Sequence, residues 1–302
     1  MRFCLKIIIF FVAVIVLTSI LTPWVKLLFN LAGIIFPTLK YLFHHDFERV
    51  FTRILMIFTL TGLFIFYKEL EFKSIKEIGV RFIAGWWKLF LKGFLLGGLS
   101  LFILVFLLME FEVYDIVFRY SASKVVTSLI KNALAAIVIG VIEEIFFRGF
   151  IFQSLRDRKS LVFSLLATNI FYSFLHFFKG NSIAHPDKFD ALSGFKQVVA
   201  FFIPIINNWQ ALIHTFIGLV LVGIALSYAY LRTNSLFFSI GLHAGWVFFI
   251  KSDGLFMDNT TVKLPLWLFD TDTMIAGVLS WVLVVFVSVS IYFLTKKGVQ
   301  KK

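Results

Sequence analysis

The sequence predicts an all-α protein, a polytopic membrane helix bundle of about eight transmembrane helices. Of the 302 residues, 60% are hydrophobic and only 15% are charged. The mean hydropathy of +0.94 lies far outside the range of soluble globular proteins. Apolar runs close to the roughly twenty residues that a bilayer crossing requires recur along the chain, and charged residues stand at their ends.

Eight apolar runs bounded by charge are the predicted spans. The first follows residues 1–6 and continues past Trp24 without an A-x-A-like cleavage site, which predicts a retained anchor rather than a removed signal peptide. Two further segments are predicted not to cross: 68–89, as an amphipathic segment in the cytoplasmic interface, and 195–206, as an interfacial helix on the outer face or a re-entrant helix. The remaining predicted spans are 51–67, 90–109, 132–155, 161–178, 210–231, 235–250 and 273–294.

The distribution of charge predicts an orientation. The formal net charge is +12, and Lys and Arg cluster at the ends of apolar runs, which indicates topogenic charge beside anionic lipid rather than nucleic-acid binding. With Arg2 and Lys6 in the cytoplasm, most basic loops lie inside and the more acidic loops lie outside. Both termini are therefore predicted to be cytoplasmic, and the short loops favour a bacterial cytoplasmic membrane. The lone Cys4 excludes an intramolecular disulfide and a cysteine-based zinc knuckle.

Within the run 132–155 stand Glu143, Glu144 and Arg148, at a depth where charges are costly and usually mark function. Glu144 and Arg148 are four residues apart with the acid first, the favourable order for a helical ion pair, so Arg148 is predicted to hold and neutralise Glu144. Glu143 is rotated by about 100° from Glu144 and is left to address another partner. A carboxylate in an apolar chamber can serve as a general base near neutral pH.

Two histidines in later apolar runs lie at a matching depth. At a rise of about 1.5 Å per residue, Glu143 lies about 18 Å from the cytoplasmic end of its helix, His176 about 22 Å and His243 about 12 to 16 Å. The three side chains are therefore predicted to meet near the middle of the bilayer. We expect Glu143 to activate water, His176 to orient or share that water, and His243 to stabilise a developing oxyanion.

Three motifs in this order resemble the CAAX protease and bacteriocin-processing (CPBP, Abi) family of intramembrane proteases, which includes the type II CAAX prenyl proteases. The resemblance covers about residues 130 to 250. E-E-x-x-x-R is complete; F-x-x-x-H has Tyr172 in place of the aromatic Phe; and H-x-x-x-N/D has Val247 in place of the polar residue. The matching positions are Glu143, Glu144 and Arg148, then His176, then His243.

The resemblance implies a buried active-site chamber and hydrolysis of a peptide bond in a membrane-associated protein or peptide, which in eukaryotic relatives is a prenylated CAAX tail. It divides the chain into N-terminal helices with the interfacial segment (1–128), a catalytic core (129–250), and an outer loop with a last helix (251–302). The expected partners are this substrate and the bilayer, with no nucleic acid. Water activated by glutamate, with no cofactor, is preferred.

Several alternatives stay open. Glu143, His176 and His243 would suit a His₂Glu zinc set, although the stronger zinc signal, H-E-x-x-H, is missing. Val247 removes a side-chain donor, and loss of an oxyanion donor can lower a rate by about 10²- to 10³-fold. A donor such as Asn169, Asn207 or Trp246 could replace it, or the protein could be a non-catalytic peptide-binding or bacteriocin-immunity protein, or a transporter whose Glu and His residues relay protons.

Overall fold

The computed structural model describes residues 2–39, 45–65, 67, 78–82, 84–178, 189–261, 264–265, 267–271 and 273–295. This part of the chain is 79% helical and contains nine helices and one short two-stranded ribbon. The helices are α1 (Arg2–Ile35), α2 (Phe47–Ile65), α3 (Trp86–Met109), α4 (Ala122–Arg156), α5 (Leu161–Leu175), α6 (Ser193–Asn207), α7 (Trp209–Thr233), α8 (Leu236–Ser252) and α9 (Val278–Leu294). The strands are β1 (Tyr114–Ile116) and β2 (Met257–Asn259).

The prediction of a helical membrane protein is confirmed, but the number of spans is not. Four helices of the described chain are long and apolar enough to cross a bilayer: Leu5–Ile35, Trp86–Met109, Ala122–Arg156 and Leu212–Thr233. Helices α5, α6 and α9 are apolar but shorter. Each predicted run overlaps a helix, so the count of about eight spans stays a prediction.

The two segments predicted to lie in the interface differ in what the structure describes. Half of 68–89, namely residues 68–77 and 83, lies outside the described residues, and α3 already begins at Trp86. The stretch 195–206 is helical as part of α6, and its position relative to a membrane stays a prediction.

The antiparallel ribbon joins the acidic loop that carries Asp115 to the acidic loop that carries Asp258, and the charge distribution predicts both loops on the outer side of the membrane. Strand β1 pairs with β2 so that Asp115 stands opposite Asp258. Like charges directly opposite each other destabilise a ribbon, and Arg119 forms a salt bridge with Asp258 that offsets this repulsion. The pairing agrees with placing the two acidic loops together. Which side of the membrane they occupy stays a prediction.

Two compact units make up the fold. The first contains residues 1–73 and 174–210, and the second contains residues 74–173 and 211–302. In the first unit α1 packs against α2 and α6. The buried rings of Phe47 and Phe51 on α2 form a cluster with Phe201 on α6. The predicted domain boundaries after residues 128 and 250 follow motif content rather than compactness, and they stay predictions.

In the second unit α3 and α8 cross at backbone contact through two small-xxx-small pairs, a packing mode that lets membrane helices approach closely. The pairs are Gly93 with Gly97 on α3 and Gly241 with Gly245 on α8. A Cβ atom on Gly97 would lie 2.5 Å from the carbonyl oxygen of Leu242, and one on Gly241 would lie 2.0 Å from that of Phe90. Because His243 stands between the two α8 glycines, this contact determines its position.

The crossing predicts a sharp contrast between two adjacent glycines. Gly97→Ala should lower stability by about 1–3 kcal/mol, because the added methyl group meets backbone that cannot move aside. Gly98→Ala should leave stability close to wild type, since its Cβ would lie 3.9 Å from the nearest atom, the carbonyl oxygen of Gly245. The two variants are solubilised in detergent and heated, and size-exclusion chromatography measures how much folded protein remains at each temperature. Equal unfolding midpoints would contradict the proposed backbone contact.

Candidate active site

Helix α4 changes its hydrogen-bonding pattern at the acidic pair. It is α-helical from Ala122 to Glu144 and π-helical from Ile145 to Phe152. Single π-helical stretches inside α-helices are frequent at functional sites. One turn before Glu144, a Cβ atom on Gly140 would lie 3.1 Å from the carbonyl oxygen of Ile240, so α4 passes close to α8 here. The two glutamates are thereby brought beside the helix that carries His243.

The predicted ion pair between Glu144 and Arg148 is present. The Nη1 atom of Arg148 donates to Oε1 of Glu144 at 2.9 Å, and both side chains have 0% relative solvent exposure. A buried charge without its partner is strongly destabilising. The ion pair therefore allows both charges to be buried in the helix bundle.

Two neighbouring helices complete the surroundings of Arg148. Its Nη2 atom donates to the carbonyl oxygen of Gly223 at 3.0 Å and to Oδ1 of Asn169 at 3.3 Å. The ring of Tyr172 lies against the guanidinium, with 4.8 Å between the ring centroid and Cζ. Arg148 is thus held by α4, α5 and α7 together.

Gly223 allows this close approach, because a Cβ atom there would lie 2.4 Å from Oδ1 of Asn169. Gly223 and Tyr172 were not predicted to support Arg148, and Asn169 was predicted only as a possible donor to the substrate. A buried asparagine in an otherwise apolar helix was the available signal for such support.

His243 joins the ion pair from α8. Its Nδ1 atom lies 3.0 Å from Oε1 of Glu144, the same oxygen that accepts from Arg148. Its Nε2 atom faces Oε2 of Glu143 at 3.8 Å. Glu144 therefore orients both Arg148 and His243, while Glu143, whose side chain is 27% exposed, occupies the more accessible side.

The structure groups four of the five predicted site residues, namely Glu143, Glu144, Arg148 and His243. His176 lies in the turn that follows α5 and is half-buried. It belongs to the first compact unit, whereas the other four belong to the second. The participation of His176 stays a prediction.

Two of the proposed substitute donors are already used within the protein. Asn169 donates from Nδ2 to the carbonyl oxygen of Leu165 at 2.8 Å. Trp246 donates from Nε1 to Oγ of Ser100 at 3.0 Å. Asn207 lies in the first compact unit and stays a prediction. Val247, one turn after His243, brings no polar side-chain group.

The zinc set that the sequence permits can be compared with the side chains that the structure describes. Across the described residues, no three side chains from His, Cys, Asp and Glu are grouped as ligands for a metal ion. Within the second unit, Nδ1 of His243 is directed at a carboxylate that Arg148 already neutralises. Water activated by glutamate without a metal stays a prediction.

The fold and site define an integral membrane protein of helices with a buried Glu–Arg–His cluster suited to acid–base chemistry. Residues 125–249 match the family model of the Rce1-like type II CAAX prenyl endopeptidases. This match confirms the resemblance that the three motifs indicated, and it indicates a protease. The searches against curated proteins and against solved structures gave no match.

Proposed function

We propose that the protein is an intramembrane endopeptidase in which Glu143 activates water to hydrolyse a peptide bond of a membrane-associated protein or peptide. The observation that carries the proposal is the placement of Glu143 opposite His243, with Glu144 and Arg148 behind them. The Rce1-like match supports the reaction class. A lipidated protein tail is one substrate class within the proposal.

The gap between Glu143 and His243 suits a water molecule. The 3.8 Å between Oε2 and Nε2 is too long for a direct hydrogen bond. One water can lie about 2.8 Å from both atoms and bridge them. A neutral imidazole carries one ring proton, and Glu144 holds that proton on Nδ1, which leaves Nε2 as an acceptor.

Both protons of this water then point toward Glu143 and His243, and a lone pair on its oxygen is left to attack a carbonyl carbon. Glu143 takes one proton and later transfers it to the leaving amine. In this proposal His243 holds the water, which differs from the oxyanion role expected from the sequence. On the strength of its motif, His176 is proposed to help orient the same water.

Comparison of protein termini in membranes tests the proposal without assuming a substrate. Cells expressing the wild type or Glu143→Gln at matched levels are compared by quantitative proteomics of new N- and C-termini. Termini that occur with the wild type and vanish with Glu143→Gln support proteolysis and name the substrate. Identical termini together with a phenotype that the variant retains would favour the non-catalytic reading, which Val247 suggests.

We expect catalysis to be independent of zinc. Treatment of the purified enzyme with a tight zinc chelator should leave cleavage of the identified substrate unchanged, since the proposed base and water holder need no metal. A metalloprotease of known zinc dependence, treated in parallel, controls for effective chelation. Activity that is abolished by the chelator and restored by zinc would overturn this expectation.

A further inference from the structure

A short turn at Ile78 and Gly79 is buried against the helices of the candidate active site. It lies in the stretch that precedes α3. Ile78 has 0% relative solvent exposure. Gly79 has a φ of +90°, a backbone conformation that glycine adopts at no steric cost. This Ile78–Gly79 turn contacts three helices, α4, α7 and α8, each of which contributes to the buried Glu–Arg–His cluster or its support.

The contact with α4 is made at the residue directly after Arg148. A Cβ atom on Gly149 would overlap Cγ2 of Ile78 and would lie 2.9 Å from the carbonyl oxygen of Ile78. Gly149 therefore leaves a notch in the π-helical part of α4, and Ile78 fills it. Because Arg148 holds Glu144 from the same part of the helix, a displacement of Ile78 would allow the ion pair to shift.

The contact with α8 is a backbone hydrogen bond at the beginning of that helix. The carbonyl oxygen of Gly79 accepts from the backbone N–H of Leu236 at 3.1 Å. Leu236 is the first residue of α8, and the first four N–H groups of a helix have no partner within the helix. The turn thus fixes the beginning of α8, about two helical turns before His243.

The contact with α7 is made through Tyr230. A Cβ atom on Gly79 would lie 2.7 Å from Cε2 of Tyr230, so the turn lies against the ring of this tyrosine. The hydroxyl of Tyr230 donates to Oε1 of Gln153 on α4 at 3.0 Å, and both side chains are buried. The turn and this hydrogen bond together join α4, α7 and α8 within the second compact unit.

We propose that Ile78 is a positioning residue for the hydrolysis of the peptide bond. The inference rests on the proposed proteolytic function and adds to it a residue outside the acid–base cluster. Ile78 fills the notch at Gly149 while the next carbonyl group holds the beginning of α8, so the turn sets how α4 lies against α8. That placement determines the 3.8 Å between Oε2 of Glu143 and Nε2 of His243, where the water is proposed to lie.

Ile78→Ala tests this role against a matched control, Ile291→Ala. Both isoleucines have 0% relative exposure, and Ile291 lies on α9, which carries none of the site residues. Both substitutions leave a cavity and should lower the unfolding midpoint. Only Ile78→Ala should also lower kcat, by about 10- to 100-fold with little change in KM, because displaced reacting groups slow the chemical step. Rates are measured per folded enzyme, at a temperature where both variants are folded.

Two changes of size at the same contact give a test that does not depend on the folding of Ile78→Ala. Ile78→Val keeps a methyl group at the Cγ2 position that faces Gly149, so it should keep a wild-type kcat. Gly149→Ala puts a methyl group against Ile78 and should lower kcat. Adding Ile78→Ala to Gly149→Ala removes the atom that the new methyl group meets, so this double variant should recover part of the lost kcat.

Two results would overturn the role of Ile78. The first is a wild-type kcat for both Ile78→Ala and Gly149→Ala, and the second is an equal loss of kcat in Ile291→Ala. Failure of this inference is distinguishable from failure of the proposed function. An inactive Glu143→Gln with a fully active Ile78→Ala removes only the role of Ile78, whereas a fully active Glu143→Gln removes the proposed function itself. All variants are measured with one substrate in one assay.

Discussion

Replacing Glu143 with glutamine is expected to lower the rate of peptide-bond cleavage by about 10²- to 10⁴-fold, the range that a positioned general base contributes. The amide of glutamine keeps the size of the side chain but cannot take a proton from water. Substrate binding should be retained, since Glu143 is proposed to act on the water. Single-turnover cleavage of the substrate found by terminal proteomics measures the rate, and co-purification of uncut substrate with the variant measures binding.

A matched control is the same substitution at Glu110, an exposed residue directly after α3. Glu110→Gln should cleave at the wild-type rate, which would show that loss of one negative charge does not by itself impair the enzyme. A Glu143→Gln variant that cleaves within about threefold of wild type would exclude this carboxylate as the general base, because the expected loss is at least tenfold larger.

Some features of the site could be predicted because they follow from regular helix geometry. The spacing of Glu144 and Arg148 predicted their ion pair, and the structure contains it. The matching depths of Glu143 and His243 predicted that they meet, and they face each other across 3.8 Å. Helix geometry alone carried both predictions, since rise and rotation per residue are nearly constant.

The contacts that support Arg148 could not be predicted in the same way. The asparagine in α5 was a signal of a buried polar contact, but the sequence does not show that Asn169 and Gly223 accept hydrogen bonds from Arg148. That prediction requires knowing which faces of α5 and α7 meet α4. The position of His243 along its helix also does not show which of its ring nitrogens faces Glu144. The paired glycines of α3 and α8 were a signal of close helix packing in the sequence, but this contact was not predicted.

The number of transmembrane helices is a second feature that hydropathy does not determine. Hydropathy identified each apolar run, yet several of the resulting helices are shorter than a full crossing requires. Helices α5 and α9 contain 15 and 17 residues, against the roughly twenty that a span needs. Bilayer thinning near a protein can accommodate short helices, so length alone does not decide how many of them cross.

A large loss of stability is expected when the buried ion pair of Glu144 and Arg148 is broken. Arg148→Leu should destabilise the protein by about 3–5 kcal/mol, because it leaves the Glu144 carboxylate buried without its countercharge. The carbonyl oxygen of Gly223 and Oδ1 of Asn169 lose a donor as well. Thermal unfolding and denaturant titration of the purified variant in detergent measure the loss of stability. A wild-type midpoint would contradict the role of the pair in stability.

The double variant Glu144→Leu with Arg148→Leu separates stability from catalysis. Replacing both members of a buried ion pair by apolar residues is often neutral, so the double variant should regain much of the stability that Arg148→Leu loses. It should nevertheless remain inactive, because His243 has lost the carboxylate that holds Nδ1 and directs Nε2 toward Glu143. A stable and active double variant would show that Glu144 and Arg148 support only the fold. A stable and inactive one would mean that the pair is retained for the orientation of His243.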